Sequence, residues 1–209
     1  MINGNRISVL ITSYKSRFST LDQVIQSWTA QPVDEIWVID DGNNFSTKIK
    51  DSRLLIFNMP KDFETKSDYA LASLTEGDYI IFADDDVIVR NNFSVDLYIA
   101  ANKTNGGIVG VIGYNGRRLK RSWSVKELTR VFWVGIVIMI PRKYICFDVR
   151  GMHKNCDDLW LCMKIHRNIN KYVVPTKNYI NLSISRNSTA LTNQKELKKA
   201  RQDFFDKYK

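Results

Sequence analysis

Four short apolar runs organise the first half of the chain: RISVLIT (6–12), EIWVI (35–39), LLIF (54–57) and YIIF (79–82). None alternates cleanly with polar residues, so each reads as a strand covered on both faces rather than wet on one. Between them Leu21, Val24, Ile25 and Trp28, and later Tyr69, Ala70, Leu71 and Leu74, recur at helical spacing. Ser19 or Thr20 caps the first helix and Pro32 ends it, while Gly77 closes the second in the manner of a C′ residue. The order strand, helix, strand, strand, helix, strand predicts an α/β fold with a central, mostly parallel mixed sheet flanked by helices. Further on, 108–112 and 131–140 read as strands that an antiparallel course would suit, 157–167 as a helix, and the segment after Asn193 as a charged amphipathic tail. With no repeat and no linker, the expectation is one domain over 1–209, its core about 6–185 and its helical tail about 193–209.

Polar and acidic residues stand at the C-terminal ends of the first, second and fourth runs, where open α/β sheets hold their ligands. The sharpest group is Asp84, Asp85 and Asp86, directly after an apolar strand. Three adjacent carboxylates repel one another, and leaving a buried strand worsens their desolvation. A divalent cation relieves that penalty, and hard oxygen donors suit Mg²⁺ or Mn²⁺. In an extended segment Asp84 and Asp86 point to the same side and would flank one ion. An acidic turn that merely caps a helix needs one carboxylate, not three.

A second acidic stretch, CDDLW (156–160), precedes the later helix. Asn155 or Asp157 serves there as an N-cap, or a carboxylate stands at the mouth of the same pocket as general base or charge stabiliser. Asp40-Asp41-Gly42 reads equally well as a turn and as an acceptor for a nucleotide base or ribose. His153 and His166 read first as surface residues; His166, two helical turns past Asp158, is the one placed to share its face with a metal.

Composition narrows the class. A chain of 209 residues, 44% hydrophobic and 25% charged, buries a core without staples and is neither disordered nor collagenous. The longest apolar run, 131–140, is too short to span a bilayer. Asn3, Asn5 and Arg6 interrupt any signal-peptide pattern, so a soluble, cytoplasmic protein without a transmembrane segment is expected. Cys146, Cys156 and Cys162 are too few for a disulfide framework or a zinc site and fit a reducing compartment. Lys plus Arg number 31 against 22 acids, a net +9 that points to an anionic partner: nucleic acid, a phosphorylated metabolite or an acidic membrane. Basic clusters at 117–121 and 195–209 are binding surfaces or solvated faces.

ISVLITSY (7–14), EIWVIDDG (35–42), GDYIIFADDD (77–86), VFWVGIVIMI (131–140) and NCDDLWLC (155–162) follow in an order that resembles the nucleotide-sugar glycosyltransferases of the GT-A fold. The resemblance spans about 6–185 and looks closer to the exostosin-type and small viral or bacterial members than to the cellulose-synthase-like ones. It implies that Thr12, Ser13 and Tyr14 line a uracil and ribose pocket, with Asp40 or Asp41 near the base. It makes Asp84 to Asp86 the DxD element: Asp86, with Asp84, holds the Mn²⁺ or Mg²⁺ that bridges the diphosphate, and Asp84 or Asp85 contacts the ribose or sugar. Asp158 becomes the carboxylate near the anomeric carbon, with Asp157 beside it. Lys66 and Arg17 become phosphate or base contacts. The family's common Glu-Asp pair is Asp157-Asp158 here, which leaves open which of the two acts. Its usual metal-binding histidine has no counterpart, His166 being a poor positional match.

The implied reaction moves a sugar from a UDP-sugar to a saccharide acceptor on a glycoprotein or glycolipid, with no nucleic-acid partner. A carboxylate either deprotonates the acceptor hydroxyl and inverts the anomeric centre, or steadies an oxocarbenium-like sugar from the same face. Trp123, Trp133 and Trp160 are candidates to stack on the acceptor, bordered by the 117–121 cluster, or belong to the core. Two other classes share some features. A haloacid-dehalogenase-like Mg²⁺ phosphatase also places Asp-x-Asp after a strand, but its motif starts the fold and wants Thr or Val where Ile88 stands. A non-enzymatic basic nucleic-acid module fits the charge, but no zinc spacing, RNP-like strand or helix-turn-helix supports it.

Overall fold

The computed structural model describes residues 1–13, 18–41, 44–63, 66–114, 121–122, 125–145, 148–152, 156–182 and 195–208. Each apolar run becomes a strand. The elements are β1 (Ile7–Ser13), α1 (Phe18–Thr29), β2 (Glu35–Asp41), β3 (Leu54–Met59) and α2 (Lys66–Leu71), which tightens into a 3₁₀ turn at Ala72–Leu74. There follow β4 (Tyr79–Asp84), β5 (Val87–Val89), α3 (Phe93–Lys103), β6 (Ile108–Tyr114), β7 (Arg121–Ser122), β8 (Thr129–Val131) and β9 (Trp133–Pro141). Then come α4 (Asp157–Leu159), continued by a wider π-helical segment at Trp160–Ile165, β10 (Lys171–Val173), β11 (Tyr179–Asn181) and α5 (Lys195–Tyr208).

Among the described residues nine strands form one sheet in the order β3-β2-β1-β4-β9-β6-β10-β8, with β7 on β6. The first four are parallel. β9 then runs antiparallel to both β4 and β6, so the sheet is mixed. The chain leaves β1 toward β2 and β3 and returns to its other side as β4. The C-terminal ends of β1 and β4 therefore form the switch point at which such sheets bind ligands.

Two apolar layers cover the sheet. On one face α1 and α3 pack through Leu21, Val24, Ile25, Trp28, Phe93 and Leu97. Leu21, Val24, Ile25 and Trp28 are the helical stripe expected from their spacing, and all four are fully buried. The edge of the Trp28 ring meets Phe93 at 5.9 Å between centroids. The end of α1 is held by Arg53, whose guanidinium donates to the carbonyls of Thr29, Gln31 and Val33, which no helical N–H reaches. On the other face α2, α4 with its π segment, and α5 pack through Tyr69, Ala72, Leu159, Leu161 and Phe205. Phe205 is 1% exposed, so the C-terminal helix is docked on the core and not merely a solvated tail.

Three local expectations are corrected. Gly77 does not cap α2: the 3₁₀ turn ends at Leu74, and Thr75 closes it with its N–H and hydroxyl on the Ala72 carbonyl. Gly77 lies instead against β1, where a Cβ would stand 2.5 Å from Ser8 Oγ. The helix at 157–167 is shorter and changes pitch, ending at Ile165. That change of pitch removes the two-turn relation between Asp158 and His166.

β9 carries one residue too many. Gly110 faces Ile138 and Ile112 faces Gly135, so two steps on β6 match three on β9. The surplus sits at Ile136, whose φ of +71° is a costly conformation for a β-branched residue. Without it, alternation would put Trp133 and Gly135 on the side of Val137 and Met139. With it, they lie on the side of Ile138 and Ile140, facing α4 and α5.

Candidate active site

The site is built from strand ends on the α2 and α4 side of the sheet. Parallel register sets Thr12 beside Asp84 and Ser13 beside Asp40 at the ends of β1, β4 and β2. Asp40 and Asp41, adjacent and both buried, point to opposite faces and do different work. Asp40 Oδ2 accepts from the Phe45 N–H at 2.7 Å and so fixes the turn after β2. Asp41 Oδ2 accepts from the Ser67 hydroxyl at 3.0 Å and faces α2. Burial raises the Asp41 carboxyl to about 6. Ser13 is buried on the Asp40 side. Lys66 opens α2 and is half-buried. Tyr14 and Arg17 lie outside the described residues, as do His153, Asn155, Trp123, Cys146 and most of the 117–121 cluster.

Asp68 in α2, which no sequence motif singled out, is 6% exposed. Desolvation pushes its carboxyl up to about 8, with nearby Thr12 opposing the rise and Asp157 and Asp41 adding repulsion. Its neighbour Tyr69 stacks on Phe82 at 4.3 Å and has a phenol raised well above the usual range, first by burial and then by Asp157, Asp68 and Asp158. Thr12, Asp41, Asp68, Asp157 and Asp158 thus feel one another across α2 and α4.

The triplet behaves as a turn and not as a continued strand. Asp84 ends β4 and is exposed, whereas Asp85 and Asp86 are 2% and 4% exposed in the turn to β5. The expected alternation of Asp84 and Asp86 along one extended segment is interrupted there. The turn is fixed from outside by the Leu182 N–H, which donates to the Asp86 carbonyl at 2.7 Å. Among the described residues no three His, Cys, Asp or Glu side chains converge as a metal cage.

Within the second pair, Asp158 is held by a cation of the C-terminal helix. Its Oδ1 and Oδ2 both accept from Arg201 Nη2 of α5, at 2.9 and 3.0 Å. The Leu159 N–H donates to Oδ1 at 2.8 Å. Gly135 leaves the room: a Cβ there would stand 2.6 Å from Asp158 Oδ2 and 2.9 Å from the Trp133 ring. Asp157 has a carboxyl raised to about 7, by burial first and then by Asp158, with Arg201 pulling the other way.

Trp133 and Trp160 are each 1% exposed and belong to the core, so neither stacks on an acceptor. Trp133 packs on Tyr114 at 4.2 Å, because the bulge turned it inward. His166 is buried against Tyr144, its carbonyl accepting from the Lys171 ammonium. Burial and Lys171 lower its imidazole to about 4, a structural histidine rather than a surface one. Cys156 and Cys162 are buried free thiols. A cavity of about 560 Å³ lined by Asp22, Gln26, Thr29, Lys48 and Asp51 lies away from all the strand-end acids.

The profile of glycosyl transferase family 2 matches residues 8–164, three quarters of the chain, and the chain belongs to that family. Among solved structures, S. aureus TarS 1–349 superposes with a TM-score of 0.63 at 16% identity, covering 83% of this chain and 59% of that one. The same TarS fragment in complex with UDP gives a TM-score of 0.62, again at 16% identity and with the same shares covered. The chain thus spans under two thirds of the TarS fragment and shares its fold. No curated protein sequence matches it. Membership of this family, whose fold is GT-A, sets aside both the phosphatase and the nucleic-acid module. Among the described residues no helix is long and apolar enough to cross a membrane.

Proposed function

We propose that the chain is a glycosyltransferase that takes a sugar from a UDP-sugar and places it on a saccharide acceptor of a glycoprotein or glycolipid. The observation that carries this reading is the convergence of Thr12, Asp41, Asp68 and the Asp157-Asp158 pair beside the β1 and β4 ends, in a family 2 fold. The UDP complex of TarS supports a uridine donor. The motif style is read as nearest the exostosin-type and small viral or bacterial members. The whole of 1–209 is read as one catalytic domain working in the cytoplasm.

A DxD element held in a tight turn suits Mg²⁺ or Mn²⁺, which take one or two carboxylates and complete their shell with phosphates and water. Asp86, with Asp84, would hold the ion, and Asp85 or Asp84 the ribose or sugar. When bound, the ion supplies charge stabilisation for the leaving diphosphate. On this reading Thr12 and Asp41 face the uridine, with Asp40 bracing the turn and Lys66 toward the phosphates, while Ser13, Tyr14 and Arg17 keep the nucleotide contacts that the resemblance implies. The acceptor hydroxyl gives its proton to a carboxylate of the Asp157-Asp158 pair as its oxygen bonds to the anomeric carbon. The bond from that carbon to the diphosphate breaks, and its electron pair leaves with the diphosphate.

Thermal shift with UDP, GDP and CMP, each with and without Mn²⁺, tests the donor. UDP with Mn²⁺ is expected to raise the melting temperature by several degrees, and UDP alone by much less. A shift from none of the nucleotides would sink the reading. Gly135→Ala tests the acid pair. Because the new methyl must push Asp158 or Trp133 aside, we expect a stability loss of about 1–3 kcal/mol. UDP–Mn²⁺ affinity should stay within about twofold while UDP release slows about tenfold or more. Unchanged release would separate the Asp158 carboxylate from the chemistry.

A further inference from the structure

We infer that Asn178 is a positioning residue that locks the register of β11 on β5 and, through that ladder, holds the turn carrying Asp85 and Asp86. Its consequence for donor binding rests on the glycosyltransferase reading, whereas the lock itself does not.

β11 pairs with β5 only from Tyr179 opposite Val89, through Ile180 opposite Ile88, to Asn181 opposite Val87. A two-stranded ladder this short is marginal by itself. It is nevertheless the outer support of the aspartate triplet, because the Leu182 N–H at its far end donates to the Asp86 carbonyl. The opposite edge of β5 is tied to α1, where the Ser27 hydroxyl accepts from the Val89 N–H at 3.1 Å. Where β11 settles along β5 therefore decides what meets the Asp86 carbonyl.

Asn178 stands at the near end of the ladder and is held through its main chain and its side chain alike. Its carbonyl accepts from the Arg90 N–H at 2.7 Å, and its N–H donates to the Thr176 hydroxyl at 3.2 Å. Its side-chain oxygen accepts from Asn91 Nδ2 at 3.2 Å, and its side-chain nitrogen donates to Asp96 Oδ2 at 2.9 Å. The same Asp96 oxygen accepts from the Thr176 hydroxyl at 2.7 Å. Asp96 lies in the first turn of α3, where the helix dipole favours a negative charge. Phe93 and Leu97 root that helix in the core. Hydrogen bonds to a charged acceptor are the strong ones, so α3 grips Asn178 firmly. Tyr179 adds an apolar contact, its ring 6.0 Å from that of Phe93. A slip of β11 by one residue would withdraw the Asn178 carboxamide from Asp96 and turn the side chains of the ladder over. One end of the ladder is thus bolted to α3, and the other end sets the triplet's turn.

Asn178→Asp keeps the size of the side chain and replaces its donor with a carboxylate that faces Asp96. In ¹⁵N-labelled, ligand-free protein the Leu182 amide is then expected to exchange about tenfold or more faster, and the Asp85 and Asp86 amide resonances to shift. The amides of Val9 and Ile81, in the central sheet, should keep their rates. Adding Asp96→Asn puts a donor opposite the new carboxylate and should restore both signals, which a general loss of stability would not do. Asn178→Ala removes the side-chain bonds without repulsion; it should give smaller changes of the same kind and keeps the test alive should Asn178→Asp fold poorly. An unmoved Leu182 amide, unmoved Asp85 and Asp86 resonances, or equal acceleration at Val9 and Ile81 overturns the inference. By calorimetry, UDP affinity in Mn²⁺ should fall about tenfold in Asn178→Asp and recover with Asp96→Asn, while affinity in chelator stays within about twofold. Equal losses with and without metal count against the inference. If the unmodified protein binds no UDP while the exchange data come out as expected, the donor reading fails and the register lock stands.

Discussion

Asp86→Asn is expected to abolish Mn²⁺-dependent UDP binding, weakening it by about a hundredfold or more, or ~2.7 kcal/mol. The side chain is nearly fully buried in the turn after β4, and asparagine preserves its shape. The turn itself is held through the Asp86 main-chain carbonyl, which the substitution leaves in place. The fold should therefore survive. Metal affinity should fall because a neutral amide oxygen is a far poorer partner for a hard dication than a carboxylate. Calorimetry with UDP in Mn²⁺ and in chelator decides the matter. Weak binding without metal should be the same in both proteins, and unchanged affinity in Mn²⁺ would move the metal elsewhere.

The second large effect concerns stability. In the folded chain Asp68 is raised to about 8 and Asp157 to about 7, whereas an unfolded aspartate sits near 4. Above pH 4 the folded state therefore holds protons that the unfolded state has released, so stability falls as pH rises through the folded values. His166 acts in the opposite sense: its folded value of about 4 lies below the unfolded 6.5, so its contribution grows with pH and is complete by about 6.5. The clean window lies above that. Between pH 6.5 and 8.5 the ligand-free protein should lose on the order of 2 kcal/mol, a fall of about 5 °C in melting temperature. Asp68→Asn should flatten most of that slope. A profile that is flat or rising in the unmodified protein would show that Asp68 is not the proton holder.

Much of the scaffold was legible because local rules and tertiary structure agree. The stripe of Leu21, Val24, Ile25 and Trp28 and the apolar runs of β1, β2 and β4 meant buried elements, and they are largely buried; the LLIF run instead forms the edge strand β3, with Leu55 exposed. The strand-end acids could be found for the same reason, since charges directly after such runs need an explanation. What escaped detection depends on contacts between distant segments. Asp68 precedes an apolar stripe and looks like any first-turn acid until Thr12, Asp41 and Asp157 surround it. Arg201 stands among several cations of a charged tail, and nothing local distinguishes it from Lys199 or Lys207. The pairing of Phe204 and Phe205 with Tyr208 was the one signal that this helix docks. Gly135 stands within an apolar strand, but only the pairing with β6 shows the bulge and where its extra residue lies. Of the two readings left open for Trp133 and Trp160, acceptor stacking or core, burial decides for the core, because apolar neighbours fill their faces from within the protein; Trp123 lies outside the described residues.

Ile136 also marks a seam. Beyond it, residues 137–141 run alongside β4 and are locked to the strand that carries the aspartate triplet. Before it, Trp133, Val134 and Gly135 pair with β6 and have parted company with β4. Removing that single residue would shift the earlier stretch against β6 and disturb the Trp133 and Gly135 cradle around Asp158, while leaving every partner of the triplet's strand in register. On the proposed reading, the donor side and the acceptor side are thus geared through one joint, and changes on one can accumulate there without disturbing the other.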